Sequence, residues 1–146
     1  GERIPTLQEV IDLVKGRAGL VIELKDPKVT DKVAEILAEN NFVDPTVVTS
    51  FIHSAVKRIK ELNPQLKTGV IFRSAPVRPA QLALDANANA LFPHYMYVTT
   101  RMIEDAHSNR LTVNVWTVDT REEIEHYVRM GVDGVVTNKP DLLIDL

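Results

Sequence analysis

The chain has 146 residues, 45% of them hydrophobic and 25% charged, enough for one globular domain with a real core. A net charge of -3 shows no basic excess, so neither nucleic acid nor an acidic membrane surface is favoured as a partner. The absence of cysteine excludes disulfides and thiolate metal sites, and no apolar run is long enough to span a bilayer.

The compartment stays open on these grounds. A cytoplasmic setting is favoured because no signal peptide is visible.

In chain order, Pro5-Thr6-Leu7-Gln8-Glu9 opens a helix, with Thr6 and Glu9 spaced as a capping box. Leu7, Val10, Ile11 and Val14 give it one apolar face. Gly16 and Gly19 bracket the turn into a strand, Leu20–Leu24. Thr30 starts a helix carrying Val33, Ile36 and Leu37 that runs out at Asn40-Asn41. Val47–Phe51 reads as the second strand and Ser54–Leu62 as a helix with Val56, Ile59 and Leu62 inward. Leu66–Phe72 is the third strand. Pro79 suits a first helical position, and that helix runs to Asp85. Ala88–Phe92 is a short strand with little β-branching. Thr99 or Thr100 opens a helix through His107. Leu111–Trp116 is the strongest strand by composition. Thr120 with Glu123 forms a second expected capping box, on a helix ending at Met130-Gly131. Val132–Thr137 is the last strand, and Pro140 opens a short terminal helix.

A first helix followed by six strands separated by helices, with no hairpin signal, implies an α/β fold with a parallel sheet. We read residues 1–146 as one domain. An open doubly wound sheet would carry a glycine-rich turn after its first strand, and here Lys25-Asp26-Pro27-Lys28 follows instead. A (β/α) barrel of eight units takes about 250 residues. Six units in this chain fit the barrel spacing and fall two short, which would leave two bare strand edges.

The stretch Leu20-Val21-Ile22-Glu23-Leu24-Lys25 is the most informative. It reads as a buried strand, yet alternation places Val21, Glu23 and Lys25 on one face. Buried charge is costly unless it is used. Either Glu23 and Lys25 pair with each other, or Glu23 is a metal ligand or acid–base group and Lys25 meets an anion. The other expected strand ends carry Ser50 and Phe51; Phe72; Phe92, Pro93 and His94; Trp116 and Thr117; Thr137 and Asn138. In a barrel all of these reach one rim, where active sites are built. Singly, Ser50 reads as a turn residue, the phenylalanines read as core, and Trp116 admits either role. Among the histidines, His94 is best placed for function, and His53 follows the second strand. His107 and His126 fall in helices with structural or surface roles. None has ligand spacing to another.

The runs Ile4-Pro5-Thr6-Leu7-Gln8-Glu9-Val10, Val21-Ile22-Glu23-Leu24-Lys25, Thr49-Ser50-Phe51, Asn114-Val115-Trp116-Thr117-Val118 and Gly131 through Pro140 together resemble the glycerophosphodiester phosphodiesterase family, in order across essentially the whole chain. The resemblance implies the C-terminal part of a TIM-type barrel. It implies hydrolysis of glycerophosphodiesters to an alcohol and glycerol 3-phosphate, in lipid metabolism. It also implies a divalent cation, calcium or magnesium, held by carboxylates. By position Glu23 would be one metal carboxylate and Lys25 would contact phosphate. Ser50, Phe51 and Trp116 would serve the substrate site.

The chain departs from the family at its start. The family's His-Arg-Gly, Glu-x-Asp and His-Asp motifs, which supply two catalytic histidines and two metal carboxylates, are absent. Phosphodiester cleavage needs an acid, a base and a cation, so the chain alone is expected to be inactive, with an incomplete metal site. Two rivals stand beside this reading. One is a non-catalytic relative that binds a phosphate ligand or a protein, with a homo-oligomer or an N-terminal segment covering the open edges. The other is a lyase or phospholipase chemistry on a related barrel.

Overall fold

The computed structural model describes Gly1 and residues 3–144. The elements run α1 Leu7–Val14, β1 Leu20–Glu23, α2 Thr30–Glu39, β2 Thr46–Ser50, α3 His53–Leu62, β3 Lys67–Phe72, α4 Pro79–Asp85, β4 Ala90–Pro93, α5 Thr100–Ser108, β5 Thr112–Val115, α6 Arg121–Met130 and β6 Gly134–Val135. Short 3-10 turns lie at Pro27–Val29, Tyr95–Tyr97 and Pro140–Leu143. The first two are additions to the sequence reading, and the third replaces the expected terminal helix.

Helix starts follow the local chemistry. Thr6 accepts from the Glu9 amide, and the Glu9 carboxylate answers at the Thr6 backbone, completing the capping box. The second box forms only in part. Thr120 caps the Glu123 amide, but the Glu123 carboxylate takes the Thr120 hydroxyl. Gly131, with φ at 92°, ends α6 in the left-handed conformation that glycine adopts without a Cβ penalty.

All six strands are parallel in the order β1-β2-β3-β4-β5-β6. Each strand pairs with its successor through a helical crossover, as in a barrel wall rather than a doubly wound sheet. The expected fold class is therefore present as a curled partial barrel. β1 and β6 are the outer strands of this sheet.

Alternation sorts the strand residues onto two faces. Val48, Val70, Leu91, Val113 and Val115 point toward the helices and are fully buried. Three apolar clusters lie there, the largest joining Val70 and Leu91 to α3, α4 and α5. Ile71, Ala90 and Phe92 point to the concave face and pack with Val47 and Trp116. Gly69 is small for a reason, because a Cβ there would run into the Phe92 ring. One sequence expectation is corrected at the edge. β1 is not a buried strand: Val21 is 61% exposed, because it faces the concavity where no further strand packs over it.

Candidate active site

The concave face opens at the C-terminal strand ends into a cavity of about 640 Å³. Glu23, Lys25, Phe51 and Trp116 all line it, together with Thr49, Thr117 and Thr137. Strand alternation accounts for this set. Glu23 and Thr49 are register partners on adjacent strands, so their side chains enter from neighbouring walls.

Lys25 Nζ donates to Glu23 Oε1 at 2.6 Å. Of the two readings of this strand end, the ion pair is thus formed, and it is formed inside the cavity. The Lys25 side chain remains mostly exposed, so the ammonium can leave Glu23 for an incoming anion at little cost.

Phe51 and Trp116 meet edge to face, with centroids 5.6 Å apart. The Trp116 indole is fixed by its N–H, which donates to the Phe92 carbonyl at 2.7 Å. Together they form a flat apolar wall with one exposed ring, since Phe51 is 48% exposed.

Ser50 is placed differently from its neighbour Phe51. It is fully buried and lies outside the cavity lining. Its hydroxyl donates to the Leu24 carbonyl at 2.7 Å and accepts from the Ile52 amide at 3.0 Å. Ser50 thereby ties the end of β1 to the start of the next loop, as a turn residue would.

The histidines keep outside the cavity lining. His53 Nε2 is 2.9 Å from the Ile71 carbonyl oxygen; a carbonyl only accepts, so that nitrogen carries the proton. His107 Nε2 bonds Asp133 at 2.8 Å on the far side of the sheet ends. His94 is the nearest to the site. It stacks on Tyr95 and meets the edge of Trp116 at 4.8 Å. Partial burial, and secondarily the Arg73 charge, push its pKa below the ordinary histidine value.

Sequence reasoning missed Asp119. Its carboxylate accepts from the Thr137 hydroxyl, the Asn138 amide and the Asn138 side chain at 3.1, 2.7 and 2.8 Å. It clamps the loop after β6 to the loop after β5. The Asn138 side-chain bond, then the Asn138 backbone bond, hold its carboxyl below the usual range. An Asp immediately before a Thr capping position reads as nothing special, so only long-range placement reveals this role.

A calcium or magnesium ion takes several oxygen ligands. Among the described residues Glu23 is the single carboxylate of the cavity lining, and it is engaged by Lys25. Among the described residues no three His, Cys, Asp or Glu side chains come together as a metal site. The residues present do not fit a complete divalent centre. No helix of the described residues is long and apolar enough to cross a membrane.

A curled parallel wall with its cavity at the C-terminal strand ends places the chain among TIM-barrel proteins. Solved structures carry the same fold. A phosphodiesterase of Oleispira antarctica, in complex with the product sn-glycerol-3-phosphate, superposes with a TM-score of 0.85 at 22% identity over 97% of this chain and 60% of its own. A glycerophosphodiester phosphodiesterase of Parabacteroides distasonis gives 0.82 at 24% identity over 97% and 63%.

Sequence comparison narrows the class. The profile of the Glycerophosphoryl diester phosphodiesterase family matches residues 1–142, and the chain belongs to that family. A glycerophosphodiester phosphodiesterase of Caldanaerobacter subterraneus subsp. tengcongensis is 35% identical, over 100% of this chain and 63% of its own. One from Bacillus altitudinis is 26% identical over 98% and 62%. The chain spans less than two thirds of the length of these relatives.

Proposed function

We infer that this chain forms the C-terminal portion of a phosphodiesterase barrel and binds the phosphate and head group of a glycerophosphodiester in its concave cavity. The observation that carries this reading is the joint presence in one cavity of a paired, releasable ammonium and an edge-to-face aromatic wall. Family membership and the product complex of the Oleispira antarctica relative support it. The overall reaction adds water across a P–O bond. The water oxygen joins phosphorus, the alcohol leaves with a proton, and glycerol 3-phosphate remains.

Within this chain, Lys25 meets phosphoryl oxygens and offsets their charge. Glu23 holds Lys25 in position between ligands, and it would hold a divalent cation, which would offset phosphoryl charge, only together with further oxygen ligands. Phe51 and Trp116 stack against the glycerol or the head group and keep water from that side. No His lines the cavity, so neither proton transfer of the cleavage step is assigned to this chain. Lipid-derived diesters are the substrate class in this reading.

Isothermal titration of the 146-residue chain with glycerol 3-phosphate tests it. Binding weakened roughly fivefold by Lys25→Ala, the effect of losing one exposed charge contact, is expected. Release of glycerol 3-phosphate from glycerophosphocholine, with calcium or magnesium present, is expected to stay at the blank rate. Turnover that Glu23→Gln abolishes would overturn the claim of an incomplete site. The same titration with calcium tests the non-catalytic alternative, which the exposed edge of β1 favours. That alternative requires a stable oligomer with no calcium response to Glu23→Ala.

A further inference from the structure

The loops that crown the C-terminal strand ends differ from the rest of the molecule in charge. They carry Lys25, Lys28, Arg73, Arg78 and Lys139 against Asp26, Asp119 and Asp141, on a chain whose net charge is -3. Locally, this end carries a small basic excess that the net figure does not show.

The same rim exposes large apolar side chains. Val77, in the loop after β3, is 88% exposed, and Met96, in the loop after β4, is 63% exposed. β3 and β4 are neighbours, so these two loops lie side by side. Phe51 and Ile52 are exposed on the loop after β2. Single exposed apolar residues need no explanation, but these share one rim with the basic groups.

They are also physically connected to the cavity. From Phe51 the contacts pass to Trp116, from Trp116 to His94, and from His94 to Tyr97 at 6.1 Å. Tyr97 lines a second hollow of about 360 Å³ with Val77, Arg78, Arg101 and Met102. Asp105 also reaches this hollow, where its carboxylate accepts from the Ala80 amide.

We propose that this rim docks the protein on an anionic lipid surface, with Val77 and Met96 entering the acyl boundary and Arg73, Arg78 and Arg101 meeting head-group phosphates. The mouth of the concave cavity then faces the lipid. The shape of the rim selects this occupant. Its apolar side chains sit on separate loops, and Val77 shares its hollow with Arg78 and Arg101, which suits a fluid surface that closes around each one. A folded protein partner would call for a continuous apolar face. The inference stands on the rim alone. It is independent of whether the concave cavity binds a phosphodiester.

Co-sedimentation with sucrose-loaded vesicles tests it, comparing phosphatidylcholine alone with phosphatidylcholine containing phosphatidylglycerol. Wild type is expected in the pellet with the anionic vesicles and in the supernatant with the neutral ones. Val77→Ser with Met96→Ser lowers partitioning by roughly tenfold through lost apolar burial. Arg78→Gln with Arg101→Gln lowers it by roughly twentyfold and flattens the salt dependence. All four side chains are exposed, so an unchanged thermal midpoint is expected and shows that the variants fold. The glycerol 3-phosphate titration reads the cavity without any vesicle present, so failure of the cavity reading is separable from failure of this one. Equal partitioning to both vesicles, no partitioning, insensitivity to the rim variants, or pelleting that follows self-association without lipid would each overturn the proposal.

Discussion

The two faces of the one sheet are built from the same strands and behave differently. Toward the helices, Val48, Val70, Leu91, Val113 and Val115 are closed off from water. Toward the concavity, only the middle of the wall is closed, at Ile71, Ala90 and Phe92. Its ends are open at Val21 and at Phe51. The helix-facing side is covered locally, since each crossover helix lies over the strands it joins. The concave side can be covered only by the curl of the sheet itself. Stability is therefore concentrated on one face, while the other is left free to hold a cavity with a charge pair in it.

The largest effect should fall on the helix-facing side. Leu91→Ala removes a fully buried side chain from the largest cluster and should cost about 2–5 kcal/mol in urea unfolding. Val21→Ala is the matching truncation on the open face and should stay within about 0.5 kcal/mol. Equal costs at the two sites would break the comparison.

A middle case sharpens it. Gly69→Ala adds a methyl group where the concave face is closed, against the Phe92 ring. Overpacking of that kind costs about 1–3 kcal/mol, and the displaced ring would disturb Trp116, which packs on the same cluster. A shifted tryptophan emission maximum alongside the lost stability would show that the closed patch positions the cavity wall.

Much of this was legible in the sequence. Six strands, their crossover helices and the shared face of Glu23 and Lys25 follow from alternation and from turn chemistry, which are local. Strand ends were less legible. Leu111–Trp116 shortens to Thr112–Val115, with Trp116 held by an isolated bridge to His94, and Val132–Thr137 shortens to Gly134–Val135, because the partners on the neighbouring strand set the ends rather than local propensity. In the site, Phe51 and Trp116 could be placed at one rim, but their contact depends on the curl of four strands. Ser50 and Asp119 owe their roles to hydrogen bonds made across loops, which no local pattern encodes.

The smallest effect concerns His94, at the boundary between the closed patch and the open rim. Its ring abuts Trp116, and burial and the nearby Arg73 both favour the neutral imidazole. Its folded-state pKa is therefore below the unfolded value of about 6.5. Between those two values the unfolded chain binds more protons than the folded one, so stability rises with pH across that window. It is lost again as pH falls from the unfolded value through the folded one. The group is only partly buried, so the effect on stability is small, and the site-specific titration is the better measurement. Two-dimensional NMR should give a His94 midpoint below the ordinary histidine value, and Arg73→Gln should raise it part of the way back. Burial is the larger cause, so Arg73→Gln should not restore it fully. Full restoration would mean that the ring is solvated, and that the closed patch ends at Trp116 rather than reaching the rim.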